Sequence, residues 1–484
     1  NSTSAFWGCT SLTYADISKC TEIGKNIFRN CTALSEGVLS QDIITTIGEG
    51  AFYGCPLSFD ELNLPNLTFL GTNAFNGVKI KKLNLAKLTS LPDGNGVINY
   101  GDRSVLEEVI LSESLTTIPR YSFQSYTNLK KCVIPKSVVT INQSAFDGAT
   151  QLEGDVDLPN LTALAPRAFT NTKISSFSAP LLTTLPGQLN GLGTFSNCSN
   201  LKSINIPLVN VIPLHSFKNC SISGALTLNS TEIQDGAFYG NDIEELYLPA
   251  IVSLMGTTNM AGSFAMNTKL RLVDMGTTLE KMQRNEFYGC ASLATFICRA
   301  TTPPTLTYAI SNVLEGTPIA KGTGFIYVPS ASMADYAEAT NWSTYASRLA
   351  PLEDHEDGGY VPIADAEVLS ILVAKGVDKN GSGYMSKNEV EAVTSNMQGW
   401  FNNNASVISF NELQYFTGIT QLGQFDLNAT YAGAFYNCTA LTEVTIPANV
   451  TLIGEYCFND CSSLANVTFA DSSKITYIGS AAFR

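Results

Sequence analysis

The stretch that decides the fold is residues 48–71, which read GEGAFYGCPLSFDELNLPNLTFLG. It contains the motif A-F-x-x-C around Phe52, followed by apolar residues at alternate positions and then a proline. Alternating apolar residues predict a short strand with one buried face, and proline ends strand pairing because it lacks a backbone donor. We therefore expect each such segment to form one strand and one return arc.

This motif recurs along most of the chain, at intervals of 21 to 26 residues. Its anchor residues are Phe6, Phe28, Phe52, Phe75, Phe123, Phe146, Phe169, Phe195, Phe217, Phe238, Phe264, Phe287, Phe435, Phe458 and Phe483, and we expect Tyr100 to take the place between Phe75 and Phe123. One unit of this length cannot close a core, so neighbouring units must bury one another's apolar residues. The pattern predicts an α/β-type repeat solenoid with a curved parallel sheet and irregular or short helical return segments.

The spacing of the anchors is lost between about residues 301 and 418, which divides the chain. We expect a repeat solenoid over 1–300, a terminal strand and helix cap over 301–352 and an acidic linker over 353–361. A small helical module is expected over 362–417 and a second repeat block over 418–484. Helical spacing of apolar residues supports helices at 364–375 and 387–394.

The sharpest chemical signal is DKNGSGYMSKNE, residues 378–389, which resembles a twelve-residue EF-hand calcium loop. The predicted oxygen ligands are Asp378, Asn380, Ser382, Tyr384 through its carbonyl, Ser386 and Glu389. Gly383 fits the sharp turn that such a loop requires. With two carboxylates we expect weak, structural Ca²⁺ binding, with a Kd of about 10⁻⁴–10⁻³ M. The alternative is a polar turn that joins two helices without metal.

A second loop, without metal, is predicted by aligning residues 406–412 on residues 383–389. This alignment places Phe401 where the first ligand belongs, and it keeps only an apolar pairing of Ile408 with Met385. The spacing between the two loops resembles dockerin modules as much as paired EF-hands.

Eight of the twelve cysteines follow an anchor phenylalanine by three positions. This spacing predicts a ladder of buried thiols, because a free cysteine packs as a small apolar residue. Disulfides between neighbouring rungs are the alternative in an oxidising environment. Zinc binding is disfavoured, since the chain has no C-x-x-C pair and its two histidines, His215 and His355, lie far apart in sequence.

Composition and motifs exclude several classes of function. The net charge of −14 disfavours binding to nucleic acid, and no run approaches the ~18 apolar residues of a membrane-spanning helix. The chain has no H-E-x-x-H, G-x-S-x-G or phosphate-loop motif. We therefore expect no enzymatic activity.

One residue of each strand must point outward, and this outward row is the expected ligand-binding face. The row is mostly polar, with one apolar patch at Ile110 and Val133 and a second that we prefer as the binding site. The second patch comprises Tyr247, Leu272 and Ile297, with Glu245 and Asp274 beside them. A solvated sheet face without a ligand is the alternative.

The repeat units at 48–71 and 453–470 closely resemble the BspA-like class of bacterial leucine-rich repeats, and the resemblance covers nearly the whole chain. The segments TTPPTL at 301–306 and FIYVP at 325–329 look like the terminal part of such proteins from gut and oral bacteria. The resemblance implies an extracellular or cell-surface location and adhesion to a host or neighbouring-cell protein or glycan. A carbohydrate-binding protein for glycan uptake is the first alternative.

The second alternative is structural. The sequence begins and ends in mid-repeat, so copies could join head to tail into a fibre, although a trimmed piece of a longer protein has the same appearance.

Overall fold

The computed structural model describes residues 4–39, 41–93, 103–255, 262–307, 313–424 and 433–484. The chain divides into two compact units. Unit 1 contains Asn1–Phe296, Pro304–Gly324 and Thr340–Thr344, and unit 2 contains Ile297–Pro303, Phe325–Ala339 and Tyr345–Arg484.

Short strands dominate both units. In chain order the strands are β1 (Tyr14–Ile17), β2 (Glu22–Ile23), β3 (Glu36–Leu39), β4 (Thr46–Ile47), β5 (Ser58–Asn63), β6 (Phe69–Leu70), β7 (Lys79–Asn84), β8 (Glu108–Ile110), β9 (Thr117–Ile118), β10 (Lys131–Val133), β11 (Thr140–Ile141), β12 (Glu153–Asp157), β13 (Ala163–Leu164), β14 (Lys173–Ser178), β15 (Ser203–Asn205), β16 (Val211–Ile212), β17 (Ser223–Thr227), β18 (Glu232–Gln234), β19 (Asp242–Leu248), β20 (Ser253–Met255), β21 (Leu272–Met275), β22 (Lys281–Met282), β23 (Thr295–Cys298), β24 (Thr305–Leu306), β25 (Phe325–Val328), β26 (Leu349–Pro351), β27 (Ser409–Phe410), β28 (Gln421–Leu422), β29 (Glu443–Ile446), β30 (Leu452–Ile453), β31 (Asn466–Phe469) and β32 (Tyr477–Ile478).

Helices are few and short. They are α1 (Met333–Glu338), α2 (Leu352–Glu356), α3 (Ala366–Ala374) and α4 (Lys387–Ala392), with 3₁₀ turns at Ser330–Ser332, Trp342–Arg348 and Asn411–Tyr415. Among the described residues, none of the helices has both the length and the apolar character needed to cross a membrane.

Each repeat is one coil of a parallel solenoid, as the sequence predicts. In the ladder of β5, β7 and β8, Leu62 pairs with Leu83 and Leu83 with Val109, and all three side chains are buried. Every coil thus supplies one rung to an apolar ladder that no single coil could bury alone. A second line of two- and three-residue strands, such as β2, β4 and β6, pairs in parallel on another side of the coils.

The described anchor phenylalanines stack ring on ring, and all of them except Phe6 and Phe483 are buried, which confirms their interior position. In unit 1 the centroids of consecutive rings lie 5.1–6.1 Å apart, with interplanar angles of 3–15°. At most anchors the residues two before and two after adopt positive φ, as Asn26 (55°) and Asn30 (61°) do around Phe28. Asparagine and glycine tolerate this conformation better than other residues, which explains why they recur in these turns. Tyr100 lies outside the described residues.

The cysteine ladder has a hydrogen-bonding role that the sequence pattern did not reveal. All twelve cysteines are free, and nine of them are buried. The Cys55 Sγ donates to the carbonyl of Phe28 (3.0 Å), and the Cys220 Sγ donates to that of Phe195 (3.0 Å). Each thiol thereby satisfies a backbone acceptor in the preceding coil. Burial raises the pKa of Cys290, a further rung, to about 12, so its thiol stays protonated.

The outward strands of unit 1 do not form one uninterrupted sheet. Within the described residues their parallel ladders are β1–β3, β5–β7–β8–β10, β12–β14–β15 and β17–β19–β21, with gaps between these groups. In two of the groups the second residue of the first strand is a glycine with positive φ, Gly154 (100°) in β12 and Gly224 (72°) in β17, and the register shifts directly after it. We infer that these bulges turn the first strand of each group away from the strand before it.

Unit 2 carries the helices and a shorter stack of repeats. Phe401, Phe435, Phe458 and Phe483 stack with centroids 4.7–5.0 Å apart. The expectation that Phe401 belongs to a second, metal-free loop is therefore wrong: it is a repeat anchor, flanked by Gly399 and Asn403, both of positive φ. The repeat coils accordingly begin before residue 418, where the sequence pattern placed their start.

Candidate functional site

Four of the five predicted ligand-binding residues share one outward face in unit 1. Glu245 pairs with Leu272, and Tyr247 with Asp274, across β19 and β21, and all four side chains are half-buried. Two contacts engage the Glu245 carboxylate: the Tyr247 hydroxyl donates to its Oε2 (2.7 Å), and the neighbouring Arg271 forms an ion pair with it. The hydrogen bond to the Glu245 carboxylate, with burial and the charges of Glu245 and Asp274, raises the pKa of Tyr247.

The fifth residue, Ile297, was expected to point outward, and this expectation is wrong. Ile297 is only 2% exposed and packs in unit 2 with Tyr327, Ala350 and Leu352. Tyr327 and Ala350 pair across β25 and β26, and Leu352 begins α2. The cap elements that follow the repeats thus cover this position, which the repeat pattern alone could not predict.

The patch at Ile110 and Val133 is fully open. These residues pair across β8 and β10 and are 47% and 62% exposed. Their neighbours on the same face, Glu108 and Lys131, form an ion pair at 2.8 Å. An apolar pair of this exposure in a row of otherwise polar residues is a candidate contact surface.

A cleft of about 440 Å³ adjoins this patch, where the ladder stops between β10 and β12. Val133, Cys132 and Gly154 are among its lining residues. The charged residues of the lining are Glu113, Glu153, Asp155 and Asp157 against Lys131 and Lys136. Both lysines already form ion pairs, Lys131 with Glu108 and Lys136 with Asp157 (3.3 Å). The lining therefore combines apolar residues with four carboxylates, which outnumber the two lysines.

The predicted calcium loop lies between α3 and α4, and its polar side chains accept backbone N–H groups of the loop itself. Asp378 accepts the N–H groups of Gly381 (2.8 Å) and Gly383 (2.9 Å), and Gly383 has a φ of 79°. The Asn380 Oδ1 and the Ser382 Oγ accept the N–H groups two residues further on. Tyr384 occupies the seventh position, with its N–H donating to the Ser382 Oγ.

The exit of this loop is a capped helix start. Ser386 and Glu389 form a capping box for α4, in which each side chain accepts the other's backbone N–H. The Glu389 carboxylate also accepts N–H groups of Lys379 (2.5 Å) and Asn380 (2.9 Å) at the loop entrance. Within the ranges that the structure describes, no three His, Cys, Asp or Glu side chains are grouped so that they could hold a metal ion. Binding therefore requires these carboxylates to turn towards the ion.

Met385 has a different partner from the one expected. Its carbonyl accepts the Val361 N–H (2.8 Å), and Tyr360 bridges Ser386 in antiparallel fashion. Ile408 is 59% exposed, so the expected pairing of Ile408 with Met385 is wrong. The segment before α3 takes the place that a second loop would fill.

Asp354 is the residue of this region that sequence reasoning missed. It was assigned to an acidic linker, but it lies in α2 with its side chain 0% exposed, and its Oδ1 accepts the Asn380 Nδ2 (2.9 Å). Its Oδ2 has no hydrogen-bond partner among the described residues. Burial and the charges of Glu389 and Asp378 raise the pKa of Asp354 to about 6, although the polar side chains of Asn380 and Ser382 oppose the shift.

Comparisons with known proteins agree with this fold. The profile of the BspA type leucine rich repeat region matches residues 2–94, 100–188, 191–314 and 401–484, in six copies. A leucine-rich repeat protein from Bacteroides ovatus ATCC 8483 is 25% identical, with a TM-score of 0.51 over 68% of this chain and 82% of its own.

Two further solved structures are more distant. A leucine-rich repeat protein from Eubacterium ventriosum ATCC 27560 is 19% identical over 64% of this chain and 78% of its own, with a TM-score of 0.26. A leucine rich cell surface protein from Faecalibacterium prausnitzii A2-165 is 16% identical over 96% of this chain and 83% of its own, with a TM-score of 0.25. A comparison with curated proteins finds no match. The family profile covers well over half of the chain, which therefore belongs to the BspA-type leucine-rich-repeat family.

Proposed function

We propose that this chain is a surface-displayed adhesion protein that binds a polypeptide of a host or neighbouring cell on the outward face of its coils. Membership of the BspA-type family supports this proposal, because the repeats of such proteins present an extended row of side chains for recognition. The observation that carries it is the exposed pair Ile110 and Val133 beside the acidic cleft between β10 and β12.

The chemistry of the cleft favours one kind of partner. An apolar side chain of the partner would cover Val133, while lysine or arginine beside it would meet the cleft carboxylates Glu113, Glu153 and Asp155. The net charge of −14 would add long-range attraction for a basic partner. We therefore expect binding that weakens as the salt concentration rises.

An array of synthetic peptides, each with a large apolar residue flanked by lysine or arginine, tests this proposal. The double substitution Ile110→Ser with Val133→Ser should weaken binding at least about tenfold, since it removes the exposed apolar contact. The matched control is Tyr247→Ser with Leu272→Ser, which alters the other outward patch. If only the control pair loses binding, the site is the patch of Tyr247, Leu272, Asp274 and Glu245 instead.

The alternatives predict other results. A carbohydrate-binding protein would bind on a glycan array and ignore the peptides. A head-to-tail fibre subunit would show a molar mass that grows with concentration in light scattering, whether or not Val133 is replaced.

We further propose that the loop at 378–389 binds one structural Ca²⁺. The support is the set of oxygen-bearing side chains at the positions that such a loop requires, together with the turn at Gly383. Calorimetry with Ca²⁺ should show one binding event, and Glu389→Gln should abolish it. Absence of heat and of any thermal shift in the unsubstituted protein would refute the proposal.

A further inference from the structure

The burial of Asp354 has no explanation in the fold alone. Leu352 and Asp354 are the two buried residues of α2, and Leu352 packs against the cap strands. Asp354 instead faces the loop through its contact with Asn380. A buried carboxylate is normally paired with a cation or fully hydrogen-bonded, because it loses its hydration.

Asp354 has neither form of compensation. No lysine or arginine in the described part of the chain forms an ion pair with Asp354, Asp378 or Glu389, and Asp354 Oδ2 lacks a hydrogen-bond partner. Glu389 is itself only 4% exposed. Asp354 is thus a buried carboxylate with one unsatisfied oxygen beside the loop, and a divalent cation would supply the positive charge that offsets it.

A second carboxylate of the same segment already holds the loop in place. Asp357 Oδ2 accepts the Ser386 hydroxyl at 2.6 Å, and Asp357 Oδ1 accepts the Asn388 Nδ2 at 3.0 Å. The segment from α2 to Asp357 therefore lies along the loop, with Asp354 beside the third position and Asp357 beside the ninth.

We propose that Asp354 is a calcium ligand supplied from outside the twelve-residue loop, so that the ion joins α2 to the loop. The inference rests on the proposed calcium binding by residues 378–389. It adds a third carboxylate to a site whose own residues provide two, together with neutral oxygens from Asn380 and Ser382. We expect the additional charge to tighten binding by about 10–100-fold.

Calorimetry with Ca²⁺ at pH 7.5 on the full chain tests the inference with three variants. Asp354→Asn should raise the Kd by about 10–100-fold, whereas Glu389→Gln should abolish binding. Glu356→Gln is the matched control, because Glu356 lies on the same helix but forms an ion pair with Arg299 (2.7 Å). Its Kd should equal that of the unsubstituted protein.

Thermal unfolding separates a ligand from a merely structural residue. Without Ca²⁺, Asp354→Asn should leave the Tm unchanged or raise it, because it removes a buried, uncompensated charge. With saturating Ca²⁺, the same variant should gain less stability than the unsubstituted protein. An Asp354→Asn protein that binds Ca²⁺ with unchanged Kd, while Glu389→Gln does not bind, would overturn the role of Asp354 alone. No Ca²⁺ binding by the unsubstituted protein would overturn both proposals.

Discussion

Replacement of one stacked phenylalanine, Phe146→Ala, tests the physical basis of the whole fold. Phe146 is 0% exposed, and its ring lies 5.3 Å from that of Phe123 and 5.3 Å from that of Phe169. Truncation of a fully buried phenylalanine costs about 3–5 kcal/mol, which includes the lost ring contacts on both sides. We expect about 4 kcal/mol, or roughly a thousandfold increase in the equilibrium constant for local opening.

A solenoid of this length need not unfold in one step, so a single melting temperature does not show which coil a substitution weakens. Native-state hydrogen exchange with mass spectrometry measures the free energy of opening coil by coil. Protection should fall in the coil of Phe146 and in the two coils that stack on it. More distant coils should keep their protection, because each coil contacts only its neighbours.

Phe6→Ala is the matched control. Phe6 is 45% exposed, and among the described residues its one stacking partner is Phe28, at 5.2 Å. It should lose roughly 1–2 kcal/mol, since less of its surface is buried. A loss below about 1 kcal/mol at Phe146, or an equal loss at both positions, would show that the stack does not carry the stability that we assign to it.

Three further substitutions test other contacts of the fold. Burial lowers the pKa of His215, so the free energy of unfolding should decrease as the pH falls below about 6.5, the pKa of a histidine in the unfolded chain. Urea titrations at pH 5 and pH 8 measure this dependence. His215→Asn should remove it, because asparagine does not titrate and tolerates the φ of 58° at this position. Gly71→Ala should lower the free energy of unfolding of unit 1 by at least about 3 kcal/mol in chemical denaturation, because the new Cβ would lie 2.2 Å from a backbone nitrogen of the preceding coil. Gly187→Ala is its control and should change stability little, because a Cβ there meets no atom within 4 Å. Cys220→Asn should lower the stability by less than about 1 kcal/mol although Cys220 is buried, because Asn241 donates to the preceding coil in the same way. A loss of stability above about 3 kcal/mol in thermal melting would contradict the equivalence of thiol and carboxamide donors.

The sequence predicted only part of the candidate calcium site. The order of oxygen-bearing residues in 378–389 is a local property, and so are the turns and caps that the structure shows there. The pairing of Met385 with Val361 joins segments that no short motif links, as does the approach of Asp354 to Asn380. For that reason the alignment of a second, metal-free loop over Phe401 and Ile408 failed.

By itself, the sequence determined the repeat, the parallel coils and the buried ladders of leucine, cysteine and phenylalanine. These features depend on spacing along the chain, because a repeat of constant length places equivalent residues behind one another whatever lies further away. Only the tertiary structure decided which outward residues are open to solvent. Ile297 and Val133 hold equivalent positions in their strands, but cap residues bury the first, and the gap between β10 and β12 leaves the second 62% exposed. Exposure depends on elements distant in sequence, and the repeat pattern contains no information about them.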